Sequence, residues 1–149
     1  MGLDNYFNRD DIKKDEDGKY EDQAFKDALA EVDFNGEDLT LSTCGMFSGT
    51  GPDGSFRGKC YCEFVEEATG ESIYEDRIES DRLVQMGDKI AKFLSSPHLN
   101  VSKYINDNYP SYGEVWTEQD IQQTASDWTK LGKLFKAFGL AGFHLTSWY

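Results

Sequence analysis

A glycine-rich stretch is the first place in the chain where residue types and spacing could bind a ligand. Residues 49–54 read Gly-Thr-Gly-Pro-Asp-Gly and match the letters of a G-x-G-x-x-G loop. Backbone N–H groups of such a loop can converge on a phosphate, and neighbouring cations and hydroxyls would add donors. The candidate phosphate or nucleotide ligands are therefore Gly49, Gly51, Gly54, Ser55, Arg57 and Lys59, with Phe56 or Tyr61 available to stack on a base.

The same stretch also has the features of an ordinary turn. Pro52 has no N–H to offer a phosphate, and Asp53 places a negative charge where the phosphate would lie. No further βαβ unit follows, and the Walker A pattern fails because Asp53 stands where a glycine is required. We expect an exposed Gly-Pro-Asp-Gly turn, with nucleotide binding as the alternative.

Metal and catalytic motifs are incomplete. Residues 31–36 imitate the first half of an EF-hand loop, but Ser42 occupies the twelfth position, where a bidentate glutamate is needed. A serine nucleophile elbow is absent, and no spacing favours a cysteine–histidine pair. We predict no metal, no cofactor and no assigned catalytic residue, and a small enzyme of unknown type remains an alternative. The possible zinc or thiol-chemistry groups are Cys44, Cys60, Cys62, His98 and His144.

The acidic side chains near the start of the chain form the fourth candidate site. Carboxylates held on a folded surface can present a negative array to a basic cleft, such as the phosphate-binding cleft of a nucleic-acid-binding protein. A protein of this kind could act as a DNA mimic, whereas ordinary solubility charge is the plainer explanation. The candidate partner-binding residues are Asp15, Glu16, Asp17, Glu21, Asp22, Asp27 and Glu31.

Composition limits the classes of function. The 149 residues carry 28 acidic and 15 basic side chains, a net charge of −13. This charge argues against direct binding of nucleic acid over a broad face. Neither an apolar span long enough for a bilayer nor a signal-peptide pattern occurs, and the cysteine number is odd, so we expect a cytoplasmic protein without membrane contact. The charge is −8 over residues 1–40, −5 over 41–80 and zero over 81–149.

Hydrophobic spacing predicts the elements that would hold these groups. We predict an α+β fold, helix-rich, with a small β element, in a single domain over 1–149 whose first 20 residues could form a flexible acidic segment. Alternation indicates a short strand over 39–43, and the apolar tail over 140–149 would form a last strand or dock on a partner. Segment 60–69 could be helix or strand; we favour a helix that ends at Gly70. The other predicted helices cover 20–32, a segment capped by Ser80, 100–108, and a segment from a capping box at Thr117 to Gly139.

Three short stretches resemble uncharacterised proteins of phages and mobile elements. They are Met1–Tyr6, Cys44–Gly49 and Ser55–Lys59. The resemblance implies a bacterial host cell and brings no catalytic residues with it. In that setting we expect a non-enzymatic inhibitor of a host defence protein with a basic surface. The alternative is a phosphate- or nucleotide-binding protein that sequesters its ligand, and the oligomeric state is left open.

Overall fold

The first strand of the chain lies in the centre of a small antiparallel sheet. The computed structural model describes residues 4–42, 51–108 and 117–148. Strand β1 (Asp4–Asn8) pairs on one side with β2 (Ser55–Arg57) and on the other with β3 (His144–Trp148). Alternate β1 residues are buried, so one face of the sheet meets the core and the other is exposed.

Five α-helices and one short 3-10 helix occupy most of the rest of the described chain. Local signals set several of their ends. The side chains of Thr117 and Asp120 form a reciprocal capping box at the start of the longest helix. Gly70 closes the second helix in the left-handed conformation, with φ of 74°. None of the described helices has the length and apolar composition needed to cross a membrane. The helices are α1 (Asp22–Ala30), the 3-10 turn (Gly58–Cys60), α2 (Cys62–Thr69), α3 (Ser80–Leu94), α4 (Val101–Asn108) and α5 (Glu118–Leu140).

Helices α3 and α5 form a close antiparallel pair because glycines lie between them. A Cβ atom on Gly87 would stand 2.6 Å from the carbonyl oxygen of Gly132. A Cβ atom on Gly139 would stand 2.7 Å from the carbonyl oxygen of Ser80. The backbones therefore touch at two levels, which only residues without side chains permit. We refer to this contact as the glycine seam.

Aromatic rings join the sheet to α5 in the core. Phe7 of β1 stacks on Phe138 with ring centroids 4.1 Å apart, and it meets Phe56 of β2 at 5.7 Å. A second stack joins Trp128 to Phe64 of α2 at 3.9 Å. Burial of these rings supplies a large part of the hydrophobic stabilisation.

The predicted α+β class is confirmed, with one small three-stranded sheet among the helices of the described residues. The strand predicted over 39–43 is wrong for the described residues 39–42, because no neighbouring strand pairs with them. Leu39 and Leu41 are nevertheless buried, while Thr40 faces solvent. The expected cap at Ser80 shifts by one residue, since Ser80 is the first helical residue and Glu79 precedes it.

Candidate functional site

The described part of the glycine-rich stretch folds around its own carboxylate. Asp53 Oδ1 accepts hydrogen bonds from the backbone N–H groups of Gly51 and Ser55, at 3.3 and 3.1 Å. The Ser55 hydroxyl also donates to this carboxylate at 3.3 Å. Asp53 thus takes the position that a bound phosphate would need. Gly49 lies outside the described residues, and nucleotide binding stays a prediction.

The side chains expected to support a nucleotide serve the fold instead. Arg57 donates to the carboxylate of Asp4 across the β1–β2 pair, at 3.1 Å. Phe56 and Tyr61 are 2% and 6% exposed, which leaves neither ring face open to a base. Burial raises the pKa of Tyr61, as expected for a phenol in the core. Lys59, in contrast, is exposed.

The described residues contain no group of three or more histidine, cysteine or acidic side chains placed to hold a metal ion. The EF-hand-like sequence forms a tight turn, in which Asp33 accepts a hydrogen bond from the N–H of Asn35 at 2.8 Å. Asn35 and Gly36 both adopt positive φ, at 55° and 72°. This is an Asx turn closed by protein atoms.

The two described cysteines differ in state. Cys60 is disulfide-bonded, whereas Cys62 at the start of α2 carries a half-buried free thiol. Burial raises the pKa of the neighbouring Tyr74 hydroxyl, and the Cys62 thiol beside it adds to that shift. A disulfide persists most readily outside a reducing cytosol, so the compartment stays a prediction. Cys44 lies outside the described residues.

The acidic segment, defined here as residues 9–42, leaves the sheet after β1 and contains α1. It carries twelve acidic and five basic side chains, a net charge of −7. Ile12, Ala28 and Val32 are buried in the core, and the ring of Phe34 lies 5.8 Å from that of Phe138. Apolar residues therefore anchor one side of this segment, while its carboxylates stay in water.

Each predicted partner-binding carboxylate now has a position. Asp15 closes a turn by accepting from the N–H groups of Asp17 and Lys19, both at 2.9 Å. Seven of the twelve acidic residues of the segment were predicted to bind a partner, and six of those seven are exposed. Exposed are Asp15, Glu16, Asp17, Asp22, Asp27 and Glu31, while Glu21 is half-buried and pairs with Lys13.

Arginines near the acidic segment are each held by two carboxylates. Arg9 contacts both Asp11 and Glu31. Arg77 donates two hydrogen bonds to Asp10, at 3.1 and 2.8 Å, and also pairs with Glu79. The Arg77 guanidinium lowers the pKa of Asp10 through these hydrogen bonds. Each cluster keeps a net charge of −1, so the arginines do not neutralise the surface.

The same arrangement recurs beyond the segment. Arg82 of α3 pairs with both Glu71 and Glu75, and its hydrogen bonds lower the pKa of Glu75. With Arg57 paired to Asp4, every arginine of the chain lies in an ion pair. The arginines are thus held in clusters, whereas the four lysines of the acidic segment are exposed. Eleven of the twelve carboxylates of the segment are also exposed, so negative charge still dominates its surface. Among the described ion pairs, none involves Glu16, Asp17 or Asp22.

Sequence reasoning missed Asp127, the last acidic residue of the chain. Its side chain is buried in α5 and accepts from the N–H of Ser42 at 3.0 Å, and also from the Ser42 hydroxyl. Gln123, one turn earlier, donates to the same carboxylate at 3.3 Å. Asp127 therefore fixes the end of the acidic segment to the longest helix. The only sequence signal was a carboxylate amid apolar helix positions.

His144 of β3 predicts how stability depends on pH. It is 5% exposed, and burial, followed by the charge of Arg77, lowers its pKa from the ordinary 6.5. Asp10 and Glu79 act in the opposite direction without reversing the shift. Because the unfolded chain binds this proton more readily, stability should fall as the pH drops below 6.5 toward the folded-state pKa. We expect His144→Gln to flatten this part of the curve in urea unfolding measured at successive pH values.

The exposed His98 offers the matched control for that series. His98→Gln should leave the slope of stability against pH as it is in the unmodified chain. Asp10 also makes stability depend on pH, but only below the ordinary aspartate pKa of 3.8. Its contribution therefore does not overlap with that of His144. A slope unchanged by His144→Gln would contradict the assignment.

Compared with models of protein families, with curated proteins and with solved structures, the chain has no match.

Proposed function

We propose that this protein is a non-enzymatic binding protein whose acidic segment occupies the basic surface of another protein. In the nucleic-acid case, the carboxylates would take the place of backbone phosphates and so block the cleft of a nucleic-acid-binding protein. The expected phage or mobile-element setting makes a host defence protein of this kind the first partner to test. The single observation that carries the proposal is the anchored acidic segment, seven of whose exposed carboxylates take part in no ion pair among the described residues.

Anchoring matters because a binding surface that is already ordered loses less entropy when a partner docks. Buried side chains hold the acidic segment at its start, middle and end, and Asp127 adds hydrogen bonds to Ser42. Lys130 further donates to the carbonyl oxygen of Thr40 at 3.1 Å. The backbone that carries the carboxylates is therefore tied to the core on either side of them. This supports an ordered acidic surface, rather than a disordered acidic chain.

Pairing matters because a basic partner gains most from carboxylates that have no cation of their own. Glu16 and Asp17 lie in the turn that precedes α1, and Asp22 is its first residue. All three are exposed and lie outside the described ion pairs. An exposed ion pair contributes about 0.5 kcal/mol, so three such contacts together contribute about 1.5 kcal/mol, or roughly a tenfold change in affinity.

Neutralising these three side chains tests the proposal. The probe is a panel of sequence-independent DNA-binding proteins, each loaded with a short fluorescent duplex whose release is followed by anisotropy. We expect the protein to displace the duplex, and added salt to weaken this competition, since it screens exposed charges. The triple variant Glu16→Gln, Asp17→Asn, Asp22→Asn should compete about tenfold less well.

The matched control removes the same charge from another place. Glu63, Glu66 and Glu67 of α2 are also exposed and lie outside the described ion pairs. Changing all three to glutamine leaves the acidic segment intact, so competition should be retained. Equal losses in both triple variants would reduce the effect to net charge alone. Failure of the unmodified protein to displace duplex from any panel member would overturn the proposal.

A further inference from the structure

A groove runs along the surface between α3 and α5, above the glycine seam. It has a volume of about 440 Å³. Gly87 and Gly132 form its floor, since neither has a side chain to fill the space. Ala91 and Leu94 supply apolar lining from α3, and Lys133 and Lys136 line the α5 side.

Helical spacing extends this face beyond the groove. Leu140 follows Lys136 by four residues and Lys133 by seven, so it lies on the same side of α5. It is 70% exposed, more than any other large hydrophobic residue in the described chain. Val84 precedes Asp88 by four residues and continues the α3 side in the same way. The face therefore combines an apolar strip with a few charges.

Charge singles out this face within the molecule. Helices α3 and α5 together carry five acidic and six basic side chains, in a chain whose net charge is −13. Two copies of the chain repel each other when their acidic segments approach. The pair of helices therefore has a net charge of +1, and Glu37 of the acidic segment pairs with Lys133 at its edge, at 2.8 Å.

The charges on the face are also arranged for a second copy. Asp88 of α3 and Lys136 of α5 pair across the groove at 2.8 Å, so they lie at the same level along the helices. A two-fold axis parallel to the helices would set α3 of one copy against α5 of the other. Rotation about that axis leaves every residue at the same height along the helices. It therefore brings Asp88 of one copy opposite Lys136 of the second copy. A two-fold interface needs this self-complementarity.

The apolar residues meet under the same rotation. Gly139 lies against Val84 within one copy, so the adjacent Leu140 is close to the level of Val84. In the pair of copies, Leu140 would cover Val84 of the second copy. Exposed leucine at the end of a helix would then be withdrawn from water.

We propose that the α3–α5 face is a self-association surface that forms a reversible two-fold dimer. Helix α3 has 15 residues, which gives a length of about 22 Å, and two helices side by side are about 20 Å wide. The resulting area is about 440 Å² per copy, against about 800 Å² in a stable complex. The dimer is therefore weak and depends on protein concentration.

Sedimentation equilibrium of the full chain tests this proposal. The mass should move from 16.9 kDa toward twice that value between micromolar and millimolar concentration. Added salt should strengthen association, because the repulsion between two chains of charge −13 outweighs the attraction of the two Asp88–Lys136 contacts across the interface, and salt screens both. This sign is opposite to that expected for a basic partner on the acidic segment, which keeps the two proposals distinguishable.

Charge reversal gives the sharpest variants. Asp88→Lys places like charges opposite each other and should weaken association at least about tenfold. Adding Lys136→Asp to it restores self-complementarity and should restore the dimer. Leu140→Asp should also weaken association, whereas Tyr6→Ser, at an exposed aromatic residue of β1, should not. Circular dichroism confirms that each variant folds.

Two results would overturn the proposal. One is a mass that stays at 16.9 kDa at every concentration and salt level. The other is a dimer that forms equally well in Asp88→Lys, in Leu140→Asp and in the unmodified chain.

Discussion

Replacing Phe138 by alanine is expected to lower the free energy of unfolding by about 3–5 kcal/mol. The side chain is fully buried and meets three other rings. It stacks on Phe7 of β1 at 4.1 Å, and it contacts Phe143 before β3 and Phe34 of the acidic segment at 5.1 and 5.8 Å. The cavity would therefore open where the sheet, α5 and the acidic segment come together.

Urea unfolding followed by tryptophan fluorescence measures this loss. Leu140→Ala, in the last turn of the same helix, is the matched control, because that side chain is 70% exposed. We expect the control to change stability by less than about 0.5 kcal/mol. Amide hydrogen exchange should also show faster opening of residues 31–42 in Phe138→Ala, since Phe34 loses its contact. A similar small effect from both substitutions would contradict the central position of Phe138.

Helices were the most predictable part of the fold, because their signals are local. Gly70 marked the end of α2, and the capping box at Thr117 marked the start of α5. Each of these signals involves only residues that are neighbours in the sequence. The sheet was less predictable. Strand β1 reads Asp-Asn-Tyr-Phe-Asn, a composition poor in strand formers, and it forms by pairing with segments far along the chain.

The segment over 39–42 shows how a correct pattern can lead to a wrong element. Its alternation of apolar and polar residues does correspond to alternating burial. A strand also needs a second strand to pair with, and here the polar backbone groups form hydrogen bonds with side chains instead. The carbonyl oxygen of Thr40 accepts from Lys130, and the N–H of Ser42 donates to Asp127. Periodicity predicts which side is buried, whereas hydrogen-bond partners depend on the tertiary fold.

The candidate site was predictable in its composition and not in its pairing. Acidic residues are expected at the surface, so exposure of the carboxylates followed from their type. The ion-pair partners of the arginines could not be predicted in this way. Glu31 lies 22 residues from Arg9 in the chain, and Asp10 lies 67 residues from Arg77. Those clusters decide which carboxylates remain available. Charge counting alone therefore predicts an acidic protein without predicting the surface it presents.

The second large effect is expected at the glycine seam, where Gly87→Leu should destabilise the protein by about 3 kcal/mol. Its Cβ atom would stand 2.6 Å from the carbonyl oxygen of Gly132 and 2.9 Å from the amide nitrogen of Lys136. Both are backbone atoms, so relief requires α3 and α5 to move apart. Helix propensity acts in the other direction, since leucine is favoured over glycine by about 0.8–1 kcal/mol.

The sign of the change in stability therefore shows whether helix propensity or the contact between α3 and α5 dominates at Gly87. Gln85→Leu is the matched control, because it adds the same side chain to an exposed site of α3. Thermal unfolding of the two variants should show a clear loss for Gly87→Leu and a near-neutral result for Gln85→Leu. A stabilised Gly87→Leu would mean that the two helices do not meet backbone to backbone. The groove above Gly87 and Gly132, and the self-association surface inferred from it, would then lose their floor.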